Sequence, residues 1–172
     1  MSYVVELMTE FGTHRQLLGI EEPSLYEVLL RHGREMTIER LTMTEARHIA
    51  KLSRSRGGVN SFKRRECYMN AQKLRLEEYW NGGRRVQYWE GYVAWEGGPL
   101  PIGHAWVTIN GKVVDVTLRA VDKTKQHSYF GIAVPPKLLM DHMQITERYC
   151  PVIEGPLQHR AFPGERRPRM RR

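Results

Sequence analysis

The chain has 172 residues and a mass of 20.2 kDa, with 41% hydrophobic and 27% charged residues. That suffices for one domain with its own core, and no apolar run reaches the ~18 residues of a membrane span. The formal net charge is +8; two cysteines exclude a disulfide framework, and without a CxxC pair or clustered Cys/His spacing a structural zinc site is not expected.

The N-terminal segment MSYVVELMTEFGTHR has no basic n-region, and Glu6 interrupts its apolar stretch. No secretory signal is read there, so the cytosol is the expected compartment. Residues 1–58 form a helical N-terminal region, with room for a strand at SYVVEL. Ser24-x-x-Glu27 is a capping box before SLYEVLLRHG, with Gly33 as the stop. Thr42-x-x-Glu45 is another, opening TEARHIAKLSRSRGG, which ends at Gly57-Gly58. REMTIERL between them reads as a linker.

Residues 59–150 form the core, beginning with RRECYMNAQ. Cys67, Asn70, Ala71 and Leu74 fall at i, i+3, i+4 and i+7, one face of a helix. Gln72, Lys73, Arg75 and Glu77 lie off that stripe. The helix is expected to stop near Asn81-Gly82-Gly83. VQYWEGYVAW is β-prone, and HAWVTI and KVVDVT flank Asn110-Gly111, a strong hairpin signal. SYFGIAV (128–134) is a further strand, ended by Pro135-Pro136, and KLLMDHMQITERY allows a last helix. Helices, then a cysteine-bearing helix, then an antiparallel sheet make the expected fold class α+β.

A two-residue turn at Asn110-Gly111 sets the hairpin register. Ile109 then faces Lys112, Val107 faces Val114, Trp106 faces Asp115 and His104 faces Thr117. One face carries His104, Trp106, Thr108, Val113, Asp115 and Thr117. The other carries Ala105, Val107, Ile109, Lys112, Val114 and Val116, an apolar wall ending in one lysine. His104 and Asp115 are diagonal neighbours with Cα atoms ~7–8 Å apart, within reach of an imidazole–carboxylate contact. Asp115 sits between two valines, and a carboxylate there needs a partner. His104 is the obvious one.

A thiol reacts as thiolate. Cys67 falls in the first turn of its helix, where the backbone dipole favours an anion, and Arg64 and Arg65 are close in sequence. A facing His104 would accept the proton, and Asp115 would hold the ring. The competing reading makes Cys67 a small core residue beside Ala71 and Leu74. Cys150, before Pro151, is given no role.

The segments ECYMNAQ and GHAWVTINGKVVDVTL resemble the transglutaminase-like branch of papain-like folds. There a helix-borne Cys precedes a His on one strand and an Asp on the next, in a pattern like HAWxxxxGxxxDxT. The likeness covers about residues 60–134. Arylamine N-acetyltransferases have a related Cys–His–Asp order, but their N-terminal pattern around Cys is not reproduced, and no calcium-binding acidic loop is seen. The resemblance implies a papain-like α+β core with Cys67 as nucleophile, His104 as general base and acid, and Asp115 as its orienting partner. It also implies an oxyanion donor upstream of the cysteine, for which Asn60 is the nearest side-chain amide, with the Cys67 backbone N–H as a second donor. Small chains with this motif pair also look similar to phage and mobile-element proteins.

The activity expected is acyl transfer on a protein or peptide amide, by proteolysis, deamidation or transamidation, with no metal or organic cofactor required. Asn70 and Trp106 are the residues expected at a substrate cleft; Trp89, Tyr92 and Trp95 either join them or pack the core. Two other readings stand beside this one. Arg160, Arg166, Arg167, Arg169, Arg171 and Arg172 give residues 160–172 a charge of +5 against one acid, Glu165. Such a tail is expected to be disordered and either solubilises the chain or attracts nucleic acid by counterion release. The basic end of the second capped helix, with Arg54, Arg56, Lys63, Arg64 and Arg65, would add to it. The third reading is a catalytically silent binding protein on the same fold.

Overall fold

The computed structural model describes residues 2–17, 25–36, 38–55, 62–63, 65–98, 100–118 and 127–162. The chain is α+β. Helices α1 (Tyr3–Leu17), α2 (Leu25–His32), α3 (Met43–Ser55), α4 (Cys67–Trp80), α5 (Pro136–Thr146) and the short α6 (Gln158–Ala161) accompany five strands. The strands are β1 (Arg34–Met36), β2 (Val86–Trp95), β3 (Ile102–Ile109), β4 (Lys112–Val114) and β5 (His127–Val134). They form one curled antiparallel sheet in the order β1-β5-β2-β3-β4. Among the described residues no helix is long and apolar enough to cross a membrane.

Two expectations for the N-terminal region are corrected. SYVVEL is the start of α1, not a strand. Val4 and Met8, one turn apart, are both fully buried, and the Val4 N–H donates to Ser128 Oγ at 3.2 Å. Packing of a helical stripe outweighs the β preference of two valines. The second correction is β1, which lies in the expected linker and pairs with β5. Gly33 permits the direct passage from α2 into it. A Cβ there would meet Leu29 O and Phe130 Cε1, both at 2.7 Å.

The capping box at α3 is present. The Thr42 N–H donates to Glu45 Oε2 at 2.7 Å, and the Glu45 N–H donates to Thr42 Oγ1 at 3.2 Å. Glu45 also ties the helix to the hairpin tip, accepting from Asn110 Nδ2 and Lys112 Nζ at 3.0 Å each. Hydrogen bonds from Asn110, the Thr42 N–H and Lys112 hold its carboxyl down at about 2. Asn110 and Gly111 both have positive φ, 52° and 85°, as a two-residue turn matched to strand twist requires.

The register Val107–Val114, Thr108–Val113 and Ile109–Lys112 is as expected. The ladder stops there, however. Asp115 and Thr117 follow β4 in a turn and do not pair with Trp106 and His104. The two faces of the hairpin separate as their alternation demands. Ala105, Val107, Ile109, Val114 and Val116 join a large core with Val4, Met8, Leu29, Leu74 and Leu139. The N-terminal helices therefore share one core with the sheet. Trp106 and Val113 join a second cluster with Met36, Trp89, Val93 and Tyr129 on the opposite face.

Helix α4 is not amphipathic in the expected way. Gln72 and Arg75 are buried along with the Cys67–Leu74 stripe. The sheet covers one side of α4, and α3 and α5 reach others. Gln72 Nε2 donates there to Tyr88 Oη at 3.0 Å and to Cys150 O at 2.9 Å, while its buried Oε1 has no partner among the described residues. Packed chain also extends past the expected start of the tail. Arg160 pairs with Asp141 at 2.7 Å and Phe162 is buried. Arg166, Arg167, Arg169, Arg171 and Arg172 lie outside the described residues, as do Ser24, Gly57 and Gly58.

Candidate active site

Cys67 is the first residue of α4. The first helical N–H groups have no intrahelical acceptor, so its own amide points out of the helix end beside its thiol. The chain enters the helix through Arg65, which has a left-handed φ of 66°, a conformation a bulky residue holds only when its surroundings impose it. Asn70 imposes it from one turn further on. Its Nδ2 donates to Lys63 O at 2.8 Å and its Oδ1 accepts the Lys63 N–H at 3.3 Å. The same Nδ2 reaches Thr117 Oγ1 at 2.9 Å. One buried amide thus clasps the approach to Cys67 to the turn that carries Asp115.

The Cys67 side chain lies close enough to His104 on β3 to influence its ionisation. His104 Nε2 lies 2.6 Å from Asp115 Oδ2, which leaves Nδ1 as the ring nitrogen for the thiol. Asp115 accepts three further bonds. Its Oδ1 takes the Thr117 and Leu118 N–H groups at 2.8 and 2.9 Å, and its Oδ2 takes Tyr129 Oη–H at 3.0 Å. All three residues are nearly enclosed: His104 is 4% and Cys67 8% exposed, and the Asp115 side chain is 8% exposed.

Burial alone would lower the His104 pKa. The hydrogen bonds to Asp115 and Cys67, with their charges, overcome it and push the imidazole up to about 9. Burial likewise opposes ionisation of Asp115, but His104 and the turn N–H groups hold its carboxyl below the ordinary value. The pair is therefore an imidazolium–carboxylate at neutral pH. Tyr129 moves the other way, its phenol raised by burial and by the Asp115 charge.

An aromatic wall backs the pair. Trp106 stacks on His104 with ring centroids 6.4 Å apart and 17° between planes, and Tyr129 meets the edge of Trp106 at 5.2 Å. Gly91 and Gly131 face each other across β2 and β5 beneath it. A Cβ on Gly131 would overlap Glu90 O and come within 2.8 Å of Trp106 Cη2.

Cys67, His104 and Asp115 thus come together. Asn70 and Trp106 do not line an open cleft, contrary to expectation: they are 0% and 1% exposed. Asn70 is spent on the loop clasp, and Trp106 packs in the aromatic cluster. Trp89 and Tyr92 are buried as well. Asn60, the expected oxyanion donor, lies outside the described residues. Of the expected basic cluster, Arg54 and Arg65 are exposed, Lys63 faces Glu66 at 3.7 Å, and Arg56 and Arg64 lie outside the described residues.

Residue-type reasoning missed Tyr129, whose only signal is its place in a strand of alternating apolar residues. It also missed a second thiol–imidazole contact. His142 Nε2 lies 3.2 Å from Cys150 Sγ, but the buried Nδ1 of His142 has no partner among the described residues, so no carboxylate orients it. Among the described residues, no three Cys, His, Asp or Glu side chains gather as a metal would need. Compared with family models, with curated proteins and with solved structures, the chain gives no match.

Proposed function

We propose that the chain is a cysteine-dependent acyl-transfer enzyme with a transglutaminase-like, papain-like core, acting on the amide of a protein or peptide. The observation that carries the reading is the convergence of Cys67, His104 and Asp115, with the thiol at a helix N-terminus and the histidine held by a buried carboxylate.

Cys67 and His104 react as a thiolate–imidazolium pair: the proton the thiol has given up is held on the ring, and the sulfur attacks the amide carbonyl carbon. The carbonyl electron pair moves onto oxygen, where the Cys67 N–H donates to it. Collapse of that adduct forms the thioester and breaks the C–N bond, and the leaving amine takes the proton from His104. Water or a second amine then attacks the thioester while His104 takes its proton. The product is a carboxylic acid or a new amide, and the thiol is restored. Asp115 keeps the ring oriented and charged between the two proton transfers.

A library of carboxamide and peptide-amide substrates incubated with hydroxylamine tests the reading. The thioester would pass its acyl group to hydroxylamine, giving a hydroxamate detected by mass. Hydroxamate from the wild type and none from Cys67→Ala supports it. Equal yields from both would end it. A second reading rests on the charge of residues 160–172. Non-specific polynucleotide binding that is salt-dependent and lost on deleting 163–172 would assign that role to the tail.

A further inference from the structure

The far end of α4 holds a buried cation with a donor left unpaired among the described residues. Arg75 is 6% exposed, and its Nη1 is buried with no hydrogen-bond partner among the described residues. Its guanidinium carbon lies 5.8 Å from the centre of the Tyr79 ring. The Glu78 charge, three residues on, favours the guanidinium, but its carboxylate oxygens are engaged by His48 Nε2 at 2.7 Å and by the Arg85 N–H at 2.8 Å. Native proteins rarely bury a guanidinium without an acceptor, because the lost hydration has nothing to replace it.

Arg75 also lines a cavity of about 460 Å³, the size of small-molecule sites in general. Tyr79, Val86, Val134 and Pro136 give it apolar walls, and Arg84 stands as a second cation on its lining. This cavity is not the candidate active site. Arg75 lies eight positions along the helix from Cys67, about 12 Å of axial rise. In the sheet it sits at the Val86–Ile109 end of the β2–β3 ladder, whereas His104 pairs with Gly91 towards the other end.

We propose that this cavity binds a small organic carboxylate, its anion on the Arg75 guanidinium and its apolar body against Tyr79, Val134 and Pro136. A planar guanidinium offers paired N–H donors that match a carboxylate. Arg84 adds attraction at longer range. The site does not depend on the activity proposed for Cys67.

The probes are benzoate, phenyl phosphate and the uncharged benzyl alcohol, titrated into the full chain and followed by NMR. Benzoate should move the Arg75 Nε–H and the amides of Gly83 and Val134, and benzyl alcohol should leave the Nε–H in place. Arg75→Met, which keeps the apolar stem, should weaken benzoate by at least about tenfold, and Arg84→Ala by less. Three results would overturn the proposal: no benzoate shifts at tens of millimolar, undiminished binding by folded Arg75→Met, or phenyl phosphate bound while benzoate is not. The wild-type Nε–H response decides the matter even if Arg75→Met does not fold.

Discussion

His104 Nε2 and Asp115 Oδ2 meet at 2.6 Å across the open end of a hairpin whose ladder has already stopped. The contact does not come from strand pairing. It comes from the turn after β4, which aims the Asp115 carboxylate back at β3 and secures it with two N–H groups of its own backbone. Asp115→Asn should therefore lower the His104 pKa from about 9 towards the ordinary ~6.5, since burial remains while the Asp115 charge is gone and only Cys67 still opposes it.

The sign of the linkage follows. A histidine raised in the folded state stabilises fully below its unfolded pKa, and that stability is lost as pH rises through about 9. Wild-type unfolding free energy should fall between pH ~6.5 and ~9 by on the order of 3 kcal/mol. In Asp115→Asn that fall should vanish. Imidazole NMR titration and urea unfolding at matched pH values measure the two effects. A His104 that still titrates near 9 in the variant would remove Asp115 from the account.

Asn70 bridges Lys63 and Thr117, so its truncation strands three polar groups. Asn70→Ala should cost about 2 kcal/mol of stability and slow any reaction of Cys67, because the entry to α4 is no longer clasped to the Asp115 turn. Urea denaturation with the thiol reaction rate beside it checks both. A stability loss with an unchanged thiol rate would make Asn70 a purely structural residue.

Two glycines near the site should respond differently to alanine. At Gly131 the added methyl overlaps backbone and presses on Trp106, and neither can yield without opening the β2–β5 pair. Gly131→Ala should cost about 3 kcal/mol or more. At Gly103 the nearest atom would be Tyr68 Oη at 3.5 Å, ordinary contact, so Gly103→Ala should stay within about 1 kcal/mol. Thermal unfolding of both variants tests the contrast.

Glu90 carries a different pH signal. It is fully buried under α4 and accepts from Tyr88 Oη–H and from the Val152 and Ile153 N–H groups. Burial raises its carboxyl to about 7 against those hydrogen bonds. The folded state thus binds a proton that the unfolded chain has released above ~4.5, and the associated stability should decline as pH rises from ~4.5 through 7. Glu90→Gln should flatten that slope. Unfolding free energies at several pH values in both proteins measure it, and an unchanged slope would assign it to another group.

Much of the fold was legible because its signals were local. Thr42 and Glu45 form a capping box whatever surrounds them, and Asn110-Gly111 sets its register from two residues. The candidate triad was legible in part for the same reason: the hairpin sets His104 and Asp115 at one end and Cys67 heads a helical stripe, while the turn after β4 that closes the His104–Asp115 contact carried no such signal. Other features depend on distant partners. β1 is three residues long and exists because β5 offers an edge. SYVVEL is helical because Val4 and Met8 find a core. Arg75 and Gln72 lie off the Cys67 stripe, and only the elements packed around α4 bury them. Asn70 and Trp106 were misplaced for the opposite reason. Their chemistry suggested contact with a ligand, whereas the loop before Cys67 and the aromatic cluster consume them.

The most direct measurement of the account is the rate of Cys67 alkylation by iodoacetamide across pH, in a Cys150→Ser background, with and without His104→Ala. The coupling proposed for Cys67 and His104 predicts that His104→Ala slows alkylation at neutral pH at least about tenfold. A folded wild-type protein that reacts at the same rate as His104→Ala throughout, or reacts only after denaturation, would contradict it and make Cys67 a core residue.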